Sequence, residues 1–119
     1  MIQNPITKPE WGSAQYLTVK DGASLLVRSV GPTDAPTILC LARHGGNGLE
    51  FSRLAARHSD RYQVVALDRR GHGKSDFLPK DQGYSIQQFA SDLVEVVEQL
   101  QLSDIIGVGV SMGGGMLCL

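Results

Sequence analysis

Ile105-Ile106-Gly107-Val108-Gly109-Val110-Ser111-Met112-Gly113 reads as a buried strand that ends in a turn with a serine at its tip. The run is continuously apolar rather than alternating, as expected of a strand covered on both faces. A serine hydroxyl is a poor nucleophile until the backbone presents it and a base activates it. A G-x-S-x-G turn does the presenting, because small residues on either side let strand and helix approach and push the hydroxyl out past the sheet. Gly109, Ser111 and Gly113 have that spacing, which makes Ser111 a candidate nucleophile. A helix starting at Met112 would place beside the serine an N–H with no intrahelical acceptor, and its dipole favours negative charge there. The Met112 N–H is therefore a candidate oxyanion donor.

Working back from this turn, the chain alternates strands and helices. Ser85 and Gln88 form a capping-box pattern, and Ile86, Phe89, Ala90, Leu93, Val97 and Leu100 then recur at helical spacing, with Asp92, Glu95 and Gln99 elsewhere on the wheel. Residues 63–67 and 37–41 are two more continuous apolar runs, read as buried strands. Between them, residues 49–58 read as a short helix with Phe51, Leu54 and Ala55 on one face. Residues 15–20 and 24–30 alternate as strands around Asp21-Gly22, a hairpin signal. The order is a β-hairpin, then β, α, β, α, β, α, which implies an α/β fold with a mostly parallel sheet. Ligands bind beyond the carboxyl ends of such strands, so loops 42–48, 68–82 and 110–113 are expected to form the site.

Composition narrows the classes of function. The 119 residues, 42% apolar and 19% charged, describe a globular chain of one domain at most. A net charge of −1 gives no electrostatic case for nucleic acid or an anionic membrane surface. No apolar run approaches the roughly 18 residues of a spanning helix, and residues 1–15 lack the apolar core of a signal peptide. The reading is a cytoplasmic protein with a small-molecule substrate and with Cys40 and Cys118 as buried free thiols. No histidine, cysteine and acid cluster has metal-ligand spacing, so neither metal nor cofactor is expected.

Two nucleotide-binding patterns can be tested by counting. A dinucleotide fingerprint beginning at Gly107-Val108-Gly109 needs a glycine at 112, where methionine stands. A phosphate loop ending in Gly73-Lys74-Ser75 needs a glycine at 68, where aspartate stands, and Pro79 breaks any helix after it. Both counts disfavour a nucleotide-binding domain.

The serine turn together with Asp68-Arg69-Arg70-Gly71-His72-Gly73-Lys74-Ser75 resembles the N-terminal half of an α/β-hydrolase. The second stretch resembles the D-x-R-G-x-G-x-S loop that follows the fourth strand of that family. The resemblance implies a sheet whose second strand is antiparallel, a partial domain over residues 14–119 preceded by a loose arm over 1–13, and a serine-nucleophile branch of the family. Asp68, Arg70 and Ser75 are read as holding their own loop by side-chain to backbone bonds, His72 as a hydrogen-bonding loop residue, and His58 as solvated.

The resemblance also assigns the loop after the third strand to the oxyanion hole, where a His-Gly-x pattern supplies a second N–H. Two registers fit. Read literally, His44-Gly45 makes Gly46 the donor; counting from Leu41 and back from Phe51 makes His44 the donor and puts Arg43 in a glycine slot. If that slot needs a left-handed backbone, arginine there costs about 1–2 kcal/mol.

In this family the acid and the histidine follow the serine along the chain, which places both beyond Leu119 and leaves His44, His58 and His72 outside the triad. The expectation is a fragment of a serine hydrolase that cleaves a small ester, lactone, thioester or activated C–C substrate, with a cofactor-free haloperoxidase-like activity left open. By itself it is expected to be inactive, with residues 105–110 as an exposed edge. The alternative is a truncated relic or an interaction module.

Overall fold

The computed structural model describes residues 11–77 and 85–118. Five strands form one sheet: β1 (Ser13–Thr18), β2 (Ser24–Val30), β3 (Thr37–Leu41), β4 (Gln63–Leu67) and β5 (Ile105–Gly109). Their spatial order is β1-β2-β4-β3-β5. β2 runs antiparallel to both β1 and β4, whereas β3 is parallel to β4 and to β5. The Val19 N–H donates to the Ala23 carbonyl and the Gly22 N–H to that of Val19, closing the first hairpin, and Gly22 takes φ 95° within it.

Alternation along β3 and β4 sends side chains to two covered faces. Leu39, Leu41, Val65 and Leu67 join Leu25 and Val27 under Phe89, Leu93 and Val96 of α2 (Ile86–Leu100). Ile38, Cys40, Val64 and Ala66 face the other way, against Phe51 and Ala55. Ala55 belongs to α1 (Ser52–His58), which a 3-10 turn over Gly48–Phe51 precedes. Full burial of one such aliphatic side chain contributes about 1.5–3 kcal/mol, so the central strands anchor the molecule.

Leu41 is the register partner of both Leu67 and Gly109. The carboxyl ends of β3, β4 and β5 therefore stop level, and the loops after them leave from one edge of the sheet. The third of these leads into α3 (Met112–Leu117).

Several expectations are corrected. The arm does not run to residue 13: β1 begins at Ser13, and the Trp11 indole N–H donates to Ser52 Oγ at 3.3 Å while the ring packs on the α1 side of the core. Ser85 Oγ accepts the Gln88 N–H, as a cap should, but the Gln88 side chain turns to Asp92 instead of back to the cap. Asp92, which lies off the apolar stripe of the helical wheel, is nonetheless buried. Cys40 is buried, with its thiol pushed up to about 12 by desolvation, whereas Cys118 is exposed. His58 is half-buried against Tyr62 rather than solvated. Residues 78–82 of the long loop lie outside the described residues, as do positions 1–10 of the arm.

β5 pairs only with β3 among the described residues. Ile105 and Ile106 are 39% and 49% exposed, so an apolar strand with the composition of a buried one stands at the rim.

Candidate active site

Ser111 has φ 54°, a left-handed conformation that costs an L-residue other than glycine about 1–2 kcal/mol. It stands exposed between the end of β5 and the start of α3. The flanking glycines have a steric reason to be glycine. A β-carbon on Gly109 would lie 2.4 Å from the Gly114 nitrogen, and one on Gly113 would lie 2.3 Å from the Leu41 carbonyl oxygen. Both obstacles are backbone, which cannot swing aside. The Gly113 N–H donates to the Val110 carbonyl at 3.0 Å, and the Gly115 N–H to that of Ser111 at 3.2 Å, so the turn and the first turn of α3 are one hydrogen-bonded unit. Met112 is the first residue of that helix.

The loop after β3 lies beside this unit, because Gly113 packs on the backbone of Leu41 and Ala42. The Gly46 N–H donates to the Arg43 carbonyl at 2.9 Å, closing a turn in which Gly45 takes φ 80°. Gly45 thus absorbs the left-handed residue that the loop needs. Arg43 is not left-handed, and the strain expected of it is absent. The Gly46 N–H is committed within the turn, whereas among the described residues no acceptor is bonded to the His44 N–H. Arg43 reaches Glu50 at 3.4 Å on the exposed side of the loop, a contact of little energetic weight. Asn47 Oδ1 accepts the Leu49 N–H and starts the 3-10 turn that carries the chain away.

The loop after β4 braces the site from beneath. Buried Asp68 accepts from the Gly48 N–H at 2.7 Å, from Arg28 Nη1 at 2.8 Å and from the Lys74 N–H at 3.0 Å, and so ties the β3 loop to its own. Gly73 takes φ 54° directly over this carboxylate, where a β-carbon would lie 2.2 Å from Oδ2. Ser75 Oγ donates to the Asp68 carbonyl and accepts the Leu26 N–H at 2.7 Å. These two residues hold the loop by side-chain to backbone bonds, as read from the sequence. Arg70 does not: its guanidinium, fully buried, is shared by Asp92 at 2.6 and 2.8 Å and by Asp21 at 2.8 and 3.2 Å. These bonds hold the Asp21 carboxyl below its usual range and raise the guanidinium's own affinity for its proton.

His72 is buried with Nδ1 3.1 Å from the Arg70 carbonyl and Nε2 3.2 Å from Arg69 Nη2. A carbonyl only accepts and a guanidinium only donates, so the ring is the neutral Nδ1–H tautomer. Burial lowers its pKa, and the neighbouring Arg69 adds to this. Its edge meets the exposed His44 ring at 5.4 Å.

Sequence reasoning did not single out Arg69. It is 2% exposed, its guanidinium lies 5.5 Å from the Phe89 ring centre, and it donates to the carbonyls of Ala42 and, at 2.9 Å, Arg43. No signal marked it, because the resemblance leaves that position of the loop open.

A family profile described as the alpha/beta hydrolase fold matches residues 36–119. A bifunctional esterase/perhydrolase of Acinetobacter calcoaceticus is 36% identical over 104 residues, covering 84% of this chain and 36% of that protein. A 3-oxoadipate enol-lactonase of Acinetobacter baylyi is 32% identical over 99 residues, covering 82% and 36%. Among solved structures, an esterase of Exiguobacterium antarcticum superposes with a TM-score of 0.82 at 30% identity, covering 88% of this chain and 38% of that one. The chain thus spans little more than a third of the length of the relatives it matches.

Proposed function

The chain belongs to the alpha/beta hydrolase fold family, and from that premise we propose that it is the N-terminal part of a serine hydrolase whose nucleophile is Ser111. The observation that carries this reading is the backbone of the serine turn: a left-handed, exposed serine between two glycines that backbone contacts forbid from being anything larger. No stability argument accounts for a serine there, since glycine would adopt the same φ without strain.

In the proposed reaction the Ser111 hydroxyl oxygen attacks the carbonyl carbon of a small ester, lactone, thioester or activated C–C substrate and gives up its proton to a base. The carbonyl oxygen becomes an oxyanion, held by the Met112 N–H and by the His44 N–H, which has no acceptor of its own among the described residues. Gly46 does not fill this role, because its N–H serves the Arg43 turn. Collapse expels the leaving group and leaves an acyl-serine that water cleaves. His72 is not the base, since both of its ring nitrogens are engaged and burial favours its neutral form. The relatives are longer than the span they share with this chain, which leaves room for the acid and the histidine that the family resemblance implies after residue 119. Relatives that carry the names esterase, perhydrolase and lactonase support acyl chemistry as the class. Unpaired thiols fit a reducing, cytoplasmic setting.

A fluorophosphonate probe tests the reading. The full-length gene product is expected to be labelled at Ser111, with labelling abolished in Ser111→Ala, while residues 1–119 alone label only at background. A full-length product that is not labelled would remove Ser111 as a nucleophile.

A further inference from the structure

Three arginines are buried among the described residues: Arg28, Arg69 and Arg70. Arg28 pairs with Asp68, and Arg70 with Asp92 and Asp21. Arg69 has no carboxylate within ion-pair distance among the described residues, and its Nε finds no hydrogen-bond partner there. A guanidinium buried in this way is expensive to hold, so what it does with its remaining donors is informative. Nη1 and Nη2 donate to successive carbonyls of the loop after β3, those of Ala42 and Arg43, Nη2 also reaches His72, and a second bond reaches the Arg43 carbonyl from the Gly46 N–H.

A trans peptide is planar, with its C=O and N–H pointing in opposite directions. Fixing the Arg43 carbonyl therefore fixes the His44 N–H on the far side of the same peptide. β3 lies between β4 and β5; Arg69 follows β4 directly and grips the loop from that flank, while Ser111 rises from β5 on the other. We propose that Arg69 is a positioning residue: by clamping the Ala42 and Arg43 carbonyls it aims the His44 N–H at the oxyanion that forms on a Ser111-bound substrate. The proposal rests on the serine-hydrolase reading above. His72 supports the clamp, because its neutral Nε2 accepts from the same guanidinium nitrogen that holds the Arg43 carbonyl.

An oxyanion donor acts on the transition state, so a misaimed one lowers kcat and leaves KM nearly unchanged. The test is p-nitrophenyl acetate hydrolysis by the full-length gene product, compared with Arg69→Met, Arg69→Lys and, as a control for general loss of stability, Val96→Ala in the core under α2. Arg69→Met is expected to lose kcat by about tenfold to a hundredfold with KM changed by less than about twofold. Arg69→Lys, which keeps the charge and can reach one carbonyl, is expected to fall between, and Val96→Ala to keep its kcat below its own unfolding temperature. Unchanged kcat in Arg69→Met, or an equal loss in Val96→Ala, would overturn the positioning role. If Arg69→Met does not fold, a wild-type kcat in Arg69→Lys overturns it too. A wild-type protein that neither hydrolyses the ester nor reacts with a fluorophosphonate overturns the Ser111 reading and this one with it. An active wild type with an indifferent Arg69 overturns this one alone.

Discussion

The Leu41 carbonyl oxygen occupies the place where Gly113 would carry a side chain: a β-carbon there would come within 2.3 Å of it. Gly114, the next residue, has only an ordinary contact at 3.6 Å and a helical setting. The two glycines therefore have opposite expected responses to alanine. Gly113→Ala must push α3 off β3 and is expected to destabilise by about 1–3 kcal/mol and to abolish labelling of Ser111. Gly114→Ala is expected to stabilise by about 0.5–1 kcal/mol, because glycine is the weaker helix former. Thermal unfolding of the two variants checks the sign.

Ser111 itself carries the strain of its φ of 54°. Ser111→Gly is expected to be more stable than Ser111→Ala by about 1 kcal/mol, because only glycine is relaxed there, while both lose all reaction with a fluorophosphonate. Equal melting temperatures for the two variants would show that the turn stores no strain at this residue.

Arg70 joins three segments, since it bonds Asp21 of the first hairpin and Asp92 of α2 from the loop after β4. Arg70→Met strands the buried Asp92 carboxylate and is expected to cost about 3–5 kcal/mol. The half-exposed Asp21 adds a pH signature. Its folded pKa is depressed, so its contribution is full above the unfolded value, about 3.9, and is lost as pH falls through the folded one. Denaturant unfolding followed from about pH 5 down to about pH 2 is expected to show this loss in the wild type, and no such loss from Asp21 in Arg70→Met.

His72 gives a second pH signature, displaced to higher pH. Burial lowers its folded pKa below the ordinary 6.5. The unfolded chain therefore takes up the proton first, and stability falls as pH drops below that value. Protonation would also place an N–H against the Arg69 guanidinium. An NMR titration of His72 is expected to give a pKa below that of the exposed model group, and His72→Asn is expected to weaken the dependence of stability on pH between neutrality and about pH 5.

The parts legible in the sequence were those written locally. Residues 37–41 and 63–67 declare their strands because burial on both faces demands unbroken apolar runs, and Ser85 announces α2 because a cap is a contact over three residues. The serine turn was legible for the same reason, since Gly109 and Gly113 flank Ser111 directly. Long-range pairings left no such trace. Asp92 looks like a solvent-facing residue on a helical wheel, and only Arg70, 22 positions away, makes it a buried one. The loop after β3 was ambiguous because its register depends on which N–H a turn consumes; the structure commits that of Gly46 and gives the left-handed step to Gly45 rather than Arg43. Arg69 was invisible, because its partners are carbonyls, which every residue possesses.

The position of β5 bears on how the site fails. Ser111 stands at the end of an edge strand, bonded along one side only among the described residues. Local opening draws first on elements with the fewest buried contacts and paired edges. Amide protons of β5 should therefore exchange before those of β3 and β4, and a small dose of denaturant or heat should release the serine from its loop while the central strands persist. The strained turn at Ser111 would then be lost before the fold, and its geometry would report the docking of one strand rather than the survival of the whole.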